Sequence, residues 1–460
     1  MRSERAASDG IRRLVMLGAA LCASIAVLSA CASSEAATSA ANAPIPTEAP
    51  AAPKPSAMAS PTPTAMPPEP TATSAPTPTA EPPTATAAEL ASAIHDDLTI
   101  RIQDAVDTWR ESNGAPAVSA AVLVPGLEPI AVASGVRDLD TNEPVTTDDF
   151  FRIASITKPM TATMILQLVE EGLIELDEPV STYLGDWLGD YEYEDDITVR
   201  QLMDHTNGLI EYAFDIGFYI EAAQRQDQPY TPEEILEFLS RQEPLFAPGT
   251  EYQYETGGFV TAGLLIELLT GNPANEEMRS RVFDPAGAVD IHLTPQEFPP
   301  EPVVNAYARA ELYDALVLLP GVDDAGQMIN GEPVIDVLSG EQAVLQSAGW
   351  TGGGNEAQVQ DVAAIFGAMF DGTLLKPESV EAMITPALST SNYGLGIDVG
   401  TSNGEVVYSH GGGVPGFRSQ AGYLPDVDVA YAFSASLIPL PDGGGVDKLR
   451  DAITQIVLSR

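Results

Sequence analysis

The sequence predicts an α+β fold, in which both ends of the folded part contribute strands to one antiparallel sheet that is flanked by helices. Strand-like runs occur across residues 117–135 and again across residues 393–437. Between them the apolar residues mainly have helical spacing, which predicts a helical lobe inserted between the two sets of strands. Because strands and helices do not alternate along the chain, the pattern does not favour a parallel βαβ plan.

The elements behind this prediction follow in order. Helical spacing runs from Ile94 to Glu111, and the residues available for its apolar face are Ile100, Ile102, Val106 and Trp109. Two strands follow, Ala117–Val124 and Ile130–Gly135, around the turn signal Pro125-Gly126. The C-terminal strand-like runs are Tyr393–Val399, Glu405–Tyr408, Phe417–Leu424 and Asp428–Leu437, and a last helix is predicted from about Asp447 to Leu458.

Composition narrows the class of protein. The 460 residues include 21 Lys+Arg and 66 Asp+Glu, a net charge of −45, and residues 89–460 hold 16 of these basic and 60 of these acidic side chains. A chain without a basic surface is not expected to bind nucleic acid. The hydrophobic share of 44% suffices for a packed core and is too low for a polytopic membrane protein.

The sequence predicts no metal site and no cofactor. Both cysteines, Cys22 and Cys31, lie in the first 31 residues, so the folded part has neither a disulfide nor a cysteine-based metal site. The four histidines, at positions 95, 205, 292 and 410, lack metal-ligand spacing.

The N-terminus is typical of a bacterial lipoprotein. Arginines precede an apolar run from Leu14 to Leu28, which is 15 residues long, whereas a transmembrane helix needs roughly 20. The following Ser29-Ala30-Cys31 resembles the end of a lipobox, in which the cysteine is lipidated. We predict a signal peptide at residues 1–31 and a lipid anchor at Cys31 that binds the membrane. The alternative is an ordinary secretory peptide that is cleaved after a small residue.

A Pro/Thr/Ala-rich disordered linker is predicted at residues 32–89. Fourteen prolines lie between Pro44 and Pro83, and no aromatic residue precedes Trp109. Such a segment cannot form a core and is expected to hold a domain away from a membrane or cell wall. The folded domain is predicted at residues 90–460.

Ser402 is interpreted as a turn residue. Residues 400–404 match Gly-x-Ser-x-Gly, but a nucleophile elbow joins a strand to a helix, and here two strand-like runs flank the motif. Ser402-Asn403-Gly404 suits a hairpin turn instead. The glycines at 352–354 and 411–413 are not followed by Gly-Lys-Ser/Thr, so a phosphate loop is not predicted.

Ser155-Ile156-Thr157-Lys158 is the stronger candidate for a nucleophile. Pro159 cannot lie deep inside a helix, yet helical spacing continues to Gly172, so a helix must begin close to Ser155. Lys158, three residues on, lies on the same face as the serine hydroxyl. A lysine whose pKa is lowered by burial can accept the proton of a serine. The plain alternative is a capping serine next to a solvated lysine.

The ordered set of motifs resembles the serine β-lactamases and penicillin-binding proteins, in particular the class C-like branch with D-Ala-D-Ala carboxypeptidases, class C β-lactamases and related esterases. Residues 151–158 resemble its nucleophile motif, and residues 168–173 and 202–209 its next landmarks. Pro248-Gly249-Thr250 precedes residues 252–256, which stand where the family has Tyr-x-Asn. Residues 410–413 stand where it has Lys-Thr-Gly or His-Thr-Gly. The resemblance implies a β-lactamase/transpeptidase-like fold.

The resemblance also implies roles for single residues. Ser155 would be the acylated nucleophile and Lys158 its proton partner, while Tyr254 would act with Lys158 as general base because a nearby ammonium lowers the pKa of a phenol. His410 would be a further catalytic residue that flanks the site, and the N–H groups of Ser155 and Gly413 would form the oxyanion hole. Thr256, Gly411 and Gly412 would contact the substrate. His205 is interpreted as structural.

Three departures from the family pattern bear on the substrate. Thr256 replaces the asparagine that is usual in the family, and His410 replaces the lysine of class C β-lactamases. Gly411 lacks the hydroxyl that helps to bind a terminal carboxylate. These changes do not favour an efficient β-lactamase. We expect carboxypeptidase activity to be weak unless Arg418, the nearest cation in sequence, points inward.

The sequence therefore predicts an extracytoplasmic serine hydrolase that acts through an acyl-enzyme on a small molecule or cell-wall peptide, either a D-Ala-type peptide or a small ester or amide. The alternative is a non-catalytic peptide-recognition module with the same fold. An intact set of Ser155, Lys158 and Tyr254 favours the enzyme.

Overall fold

The structure is a computed structural model that describes residues 86–215, 217–218, 221–222, 225, 228–309, 327–329, 332–336, 342–438 and 445–460. The predicted signal peptide with Cys31, and the predicted linker up to residue 85, lie outside these residues. Among the described helices, none combines the length and the apolar character needed to span a membrane.

The order of elements agrees with an α+β fold. The helices are α1 (Ala87–Asn113), α2 (Thr157–Glu170), α3 (Ser181–Leu184), α4 (Val199–Asp204), α5 (Pro232–Ser240), α6 (Gly257–Thr270), α7 (Ala274–Met278), α8 (Asp284–Ala286), α9 (Gln342–Gly353), α10 (Val359–Phe370), α11 (Pro377–Met383) and α12 (Val446–Leu458). The strands are β1 (Ala117–Leu123), β2 (Ile130–Gly135), β3 (Phe151–Arg152), β4 (Ile291–Leu293), β5 (Tyr307–Arg309), β6 (Gln327–Ile329), β7 (Glu332–Asp336), β8 (Asn355–Ala357), β9 (Asp398–Ser402), β10 (Glu405–Val414), β11 (Phe417–Leu424), β12 (Val429–Ala435) and β13 (Leu437–Ile438).

Both ends of the domain form one six-stranded antiparallel sheet, as predicted, with the order β2-β1-β12-β11-β10-β9. The N-terminal hairpin joins the C-terminal strands through β1 and β12, where Ala121 lies opposite Ala432. Two smaller sheets, β13-β5-β7-β6 and β3-β8-β4, lie outside this one. The third sheet adjoins Ser155, since β3 ends at Arg152, two positions before the turn at residues 154–156.

The predicted strand at Tyr393–Val399 is wrong in its position. Strand β9 runs from Asp398 to Ser402, and Tyr393 makes only an isolated bridge to Asp398. Gly396 has φ of 74°, a left-handed conformation that bends the chain before a strand can form. The strand predicted at Glu405–Tyr408 is longer than expected and reaches Val414.

Helix α1 begins before the predicted domain boundary at residue 90. The Thr86 side chain accepts a hydrogen bond from the Glu89 backbone, and Glu89 bonds back to the Thr86 N–H, so a capping box starts the helix at Ala87. The apolar face contains Ile102, Val106 and Trp109 as predicted, but Ile100 is 63% exposed. Residues that are two positions apart in a helix point about 200° apart around its axis, so Ile100 cannot share the face of Ile102.

Two apolar clusters cover the two faces of the main sheet. Helices α1 and α12 pack on the outer face, with Ile102 and Val106 next to Leu449 and Ile453. The inserted helices pack on the inner face around α2, whose residues 157–166 are all buried. The central position of α2 places its N-terminus, and therefore Ser155, between the sheet and the helical lobe.

Candidate active site

Ser155 lies in a single 3₁₀ turn directly before α2. Its side chain is partly exposed, whereas Ala154 and Ile156 on either side are buried. The helix therefore begins next to the serine, as predicted. Ala154 has φ of 52°, a left-handed conformation that costs an L residue about 1–2 kcal/mol. Such local strain is typical of functional turns that the surrounding structure holds in place.

Lys158 is fully buried and uses all three protons of its ammonium. The acceptors are Ser155 Oγ at 3.2 Å, Thr256 Oγ1 at 3.3 Å and the carbonyl oxygen of Gly352 at 2.8 Å. Burial lowers the pKa of Lys158 to about 8, although the carboxylates of Glu211 and Glu255 oppose this shift. A lysine with this pKa is partly unprotonated near neutral pH and lies within reach of the serine proton.

Tyr254 lies next to Lys158 and Ser155. Lys158 Nζ lies 4.9 Å from the centre of its ring, and the Ser155 side chain is close enough to act on the pKa of its phenol. The expected lowering of the phenol pKa by Lys158 is wrong. Loss of contact with water raises the pKa of Tyr254 above its ordinary value, and the negative charges of Glu211 and Asp398 raise it further. The phenol is therefore protonated at neutral pH.

Thr256 contacts Lys158 and Glu211. Its hydroxyl accepts the hydrogen bond from Lys158 and donates one to Glu211 Oε2 at 2.8 Å. A hydroxyl can donate one hydrogen bond, and here the Thr256 hydroxyl donates it to Glu211. The substrate contact predicted for Thr256 stays a prediction.

Two buried carboxyl groups, Glu211 and Glu255, complete the surroundings of Lys158, and neither was singled out from the sequence. Burial raises the pKa of each to about 7. Glu255 accepts hydrogen bonds from Asn207 Nδ2 and from the Gly258 N–H, both at 2.8 Å. Because the chain has 66 acidic residues, nothing in the sequence distinguishes Glu211 from the others. Only its position in space, next to Lys158, identifies it as part of the site.

His205 lies beneath the site, in agreement with a structural role. Its ring is fully buried, 4.4 Å from the ring of Tyr254 and 4.6 Å from that of Tyr393. Its Nδ1 accepts a hydrogen bond from the Glu255 backbone at 3.3 Å. Burial holds the pKa of His205 well below its ordinary value, so the ring is neutral.

His410 does not reach the substrate side of the site through either ring nitrogen. The carbonyl oxygen of Gly411 lies 2.6 Å from Nδ1, and the hydroxyl of Tyr393 lies 2.8 Å from Nε2. Because a carbonyl only accepts, Nδ1 carries the proton, and Nε2 accepts from Tyr393. Burial and the charge of Lys158 lower the pKa of His410 to about 3. These contacts indicate a neutral residue that supports β10, in place of the catalytic role predicted for it.

The glycines of β10 bring this strand close to the nucleophile. A Cβ atom on Gly412 would lie 2.1 Å from the carbonyl oxygen of Ile153 and 3.4 Å from the Cβ of Ala154. Strand β9 pairs with β10 only as far as Ser409. The edge of β10 beyond this point, which includes Gly413, is therefore not covered by β9. This geometry agrees with an oxyanion hole made by the Ser155 and Gly413 N–H groups.

Arg418 lies next to the predicted carboxylate site. It is opposite Gly413 in the register of β10 and β11. A Cβ atom on Gly411 would lie 3.6 Å from Arg418 Nη2, and one on Gly413 would lie 3.0 Å from Nη1. Within the described residues its buried Nε has no hydrogen-bond partner. The guanidinium therefore covers the surface that the missing side chain of Gly411 leaves open.

The other predicted positions lie apart from this site. Ser402 ends β9 at the hairpin turn, and its hydroxyl donates to Asp451 Oδ1 at 2.7 Å, as expected of a structural residue. In the described part of the chain, no three acidic, histidine or cysteine side chains form a group that could hold a metal ion.

A family model and several known proteins match this chain. The model described as Beta-lactamase matches residues 102–454. Penicillin-binding protein 4* of Bacillus subtilis (strain 168) is 24% identical over 293 residues, which cover 62% of this chain and 60% of that protein. Lovastatin esterase of Penicillium rubens is 29% identical over 362 residues, which cover 75% of this chain and 83% of the esterase.

Solved structures are similar over most of the domain. The crystal structure of D-amino acid amidase from Ochrobactrum anthropi SV3, complexed with L-phenylalanine amide, superimposes with a TM-score of 0.65 at 26% identity. The match covers 79% of this chain and 99% of the amidase. The chain spans only about three fifths of the Bacillus relative.

Proposed function

This chain belongs to the beta-lactamase family and is a serine hydrolase, and from that premise we propose that it cleaves D-Ala-type peptides, small amides or esters outside the cytoplasm through an acyl-enzyme on Ser155. One observation carries the proposal. The fully buried Lys158 lies 3.2 Å from the Ser155 hydroxyl and has a pKa lowered to about 8. An exposed serine beside a solvated lysine has neither property.

In the proposed first step, unprotonated Lys158 accepts the proton of Ser155 while Oγ attacks the carbonyl carbon of the substrate. The negative charge that forms on the carbonyl oxygen is bound by the N–H groups of Ser155 and Gly413. One such donor contributes about 2.7–4 kcal/mol to the transition state.

The leaving group then needs a proton. Tyr254 is protonated, because burial raises its pKa, and its phenol lies close to the Ser155 side chain at the reacting centre. Its position lets it donate this proton to the leaving group, and the proton held by Lys158 then restores the phenol. Water attacks the acyl-enzyme in the second half of the reaction, with the same groups in reverse.

Arg418 supports a substrate that carries a carboxylate. Its guanidinium lies 3.6 Å from the position of a Gly411 Cβ, where the family has a hydroxyl for this purpose. A guanidinium can bind a carboxylate through two parallel hydrogen bonds. We therefore propose that D-Ala-terminated peptides are accepted despite Gly411, and that neutral short-chain esters are hydrolysed faster than β-lactams.

The proposed location depends on the N-terminal sequence. Lipidation of Cys31 would attach the chain to the outer face of the cell membrane, and residues 32–85 would act as its tether. A single lipid chain binds a membrane only weakly. Stable attachment therefore requires the several chains that the resemblance to bacterial lipoproteins implies.

Covalent labelling tests the proposal. The full chain is incubated with a fluorescent fluorophosphonate and with a fluorescent penicillin, and the modified residue is identified by peptide mass spectrometry. We expect an adduct on Ser155 that is lost in Ser155→Ala. The matched control Ser402→Ala should keep the adduct, because Ser402 lies at the hairpin turn of β9.

The same experiment addresses the alternative of a peptide-recognition module. Reversible binding of a D-Ala-terminated peptide without any adduct, in a folded wild-type protein, would favour the module. An adduct on Ser402 would show that the wrong serine was assigned. Turnover of a D-Ala-terminated peptide, a D-amino acid amide, a p-nitrophenyl ester and a β-lactam then distinguishes the substrates.

A further inference from the structure

A buried carboxylate next to the catalytic lysine has no role in the reaction described above. Glu211 lies at the start of the 3₁₀ turn Tyr212–Phe214, 56 positions after Ser155 in the chain. Among the described residues, the hydrogen bonds that join its side chain to Lys158 run through the hydroxyl of Thr256. We propose that Glu211 is a positioning residue for Lys158, which it orients through the Thr256 hydroxyl and supplies with a counter-charge. This inference rests on the proposed function, in which Lys158 is the base.

The hydrogen bonds define the orientation of each group. Glu211 Oε1 accepts from the Ala213 N–H at 2.9 Å, so the carboxylate is anchored to the backbone. Its other oxygen, Oε2, accepts the only proton of the Thr256 hydroxyl at 2.8 Å. The lone pairs of Thr256 Oγ1 are thereby left for Lys158 Nζ, which donates to them at 3.3 Å.

This contact helps to aim Lys158 at the nucleophile. An ammonium has three N–H groups in fixed directions, and here the Gly352 carbonyl and Thr256 take two of them. The third direction then points to Ser155 Oγ. If the Thr256 hydroxyl turned its proton toward Lys158, the ammonium would lose one acceptor and rotate away from the serine.

Charge provides a second reason for Glu211. A lysine that is buried without a counter-ion becomes a weak base, because burial disfavours its charged form. The carboxylate of Glu211 is the largest effect that opposes this shift at Lys158, followed by Glu255. The titratable groups that face Lys158 and Glu211 are His205, Tyr254, Glu255 and His410.

Glu255 does not duplicate this arrangement. Its oxygens accept hydrogen bonds from Asn207 and from the Gly258 N–H. In the described part of the chain, no hydroxyl links Glu255 to Lys158 in the way that Thr256 links Glu211. Glu211 and Thr256 therefore act as a pair, and the threonine that replaces the family's asparagine is one half of it.

The test compares Glu211→Gln, Thr256→Val and the matched control Thr256→Ser in the full chain. The substrate is a neutral p-nitrophenyl ester without an amino group, so that direct binding of the substrate by Glu211 cannot contribute. Acylation rates are measured in single turnover as a function of pH, kcat and KM at steady state, and folding by thermal unfolding.

Thr256→Val is expected to lower kcat by roughly 10²-fold, the loss that accompanies misplacement of a catalytic group by about 1 Å. KM should stay close to the wild-type value, because in this inference both residues act on Lys158 and not on the ester. Thr256→Ser keeps the hydroxyl and should recover most of the rate that Thr256→Val loses.

Glu211→Gln should lower the maximal acylation rate and move the acidic limb of the pH profile to lower pH. The sign follows from the charge. Glu211 raises the pKa of Lys158, so its removal lowers the pKa at which Lys158 loses its proton. If Glu211 had a purely structural role, its replacement would lower the amount of active enzyme and leave the acidic limb of the pH profile in place.

Three results would overturn the inference. An unshifted acidic limb in folded Glu211→Gln would show that the carboxylate does not act on Lys158. Equal rates for Thr256→Val and wild type would show that the hydroxyl link is dispensable, and a rise in KM without a change in kcat would make Thr256 a substrate contact. A wild type that forms no acyl-enzyme would instead refute the proposed function, and the inference with it.

Discussion

Replacing Gly412 with alanine should separate β10 from the nucleophile turn and impair the oxyanion hole. The added Cβ would lie 2.1 Å from the carbonyl oxygen of Ile153, while ordinary contacts begin at 3.4 Å. The obstacle is backbone, which cannot rotate aside as a side chain would. Strand β10 must therefore shift by about 1 Å or more, and Gly413, the next residue, moves with it.

The size of the effect follows from the donor that is displaced. Loss of one oxyanion-hole donor lowers kcat by about 10²–10³-fold, or about 2.7–4 kcal/mol of transition-state stabilisation. Overpacking should also lower the free energy of unfolding by about 1–3 kcal/mol. The assay measures kcat on a neutral p-nitrophenyl ester and the Tm of each variant.

Gly411→Ala is the matched control on the same strand. Its Cβ would meet Arg418 Nη2 at 3.6 Å, an ordinary contact with the end of a flexible side chain. We expect nearly wild-type kcat and Tm for this variant. Wild-type kcat in Gly412→Ala, or an equal loss in both variants, would refute the reasoning.

Four further predictions follow from the same geometry. Ser155→Ala should abolish fluorophosphonate labelling without a change in Tm, and Lys158→Ala should lower kcat nearly as much, because residues that act as one unit do not contribute additively. A plot of kcat/KM against pH should rise through about pH 8, where Lys158 loses its proton, and this limb should not come from His410, because burial lowers the pKa of His410 to about 3. Gly411→Thr should raise kcat/KM for a D-Ala-terminated peptide about 10-fold through one charge-assisted hydrogen bond and leave the ester rate unchanged. Equal gains on both substrates would contradict a role of position 411 in binding the terminal carboxylate. Cys31→Ala should move the protein from the membrane fraction to the soluble fraction after ultracentrifugation, whereas a soluble wild type with an unmodified cysteine would refute the lipid anchor.

The contact between Ser155 and Lys158 could be predicted because it is local. A helix that begins at the serine brings a residue three positions later onto the same face, whatever the rest of the chain does. The antiparallel sheet from both termini could also be predicted, since the sequences of β1, β2, β11 and β12 each have the residue pattern of a strand. Errors occurred where packing overrides the pattern, as at Tyr393, whose buried hydroxyl bonds to His410 while the chain bends at Gly396.

The sign of the pKa shift at Tyr254 shows why electrostatics could not be read from neighbours in sequence. A nearby ammonium lowers the pKa of a phenol, but burial and several carboxylates raise it, and the balance depends on distances in three dimensions. His410 is a similar case. Its place in a motif suggested chemistry, while its two hydrogen bonds show that both ring nitrogens are occupied within the protein.

The sequence by itself determined the pairing of Ser155 with Lys158, the two-ended sheet and the large negative net charge, because these depend on local spacing and composition. Only the tertiary structure decided which groups surround Lys158. Glu211, Thr256 and the Gly352 carbonyl come from segments 56, 101 and 197 positions after Ser155. Their approach depends on how α6 and α9 pack against α2. Burial of a charge at such a junction sets its pKa, and no spacing along one segment contains that information.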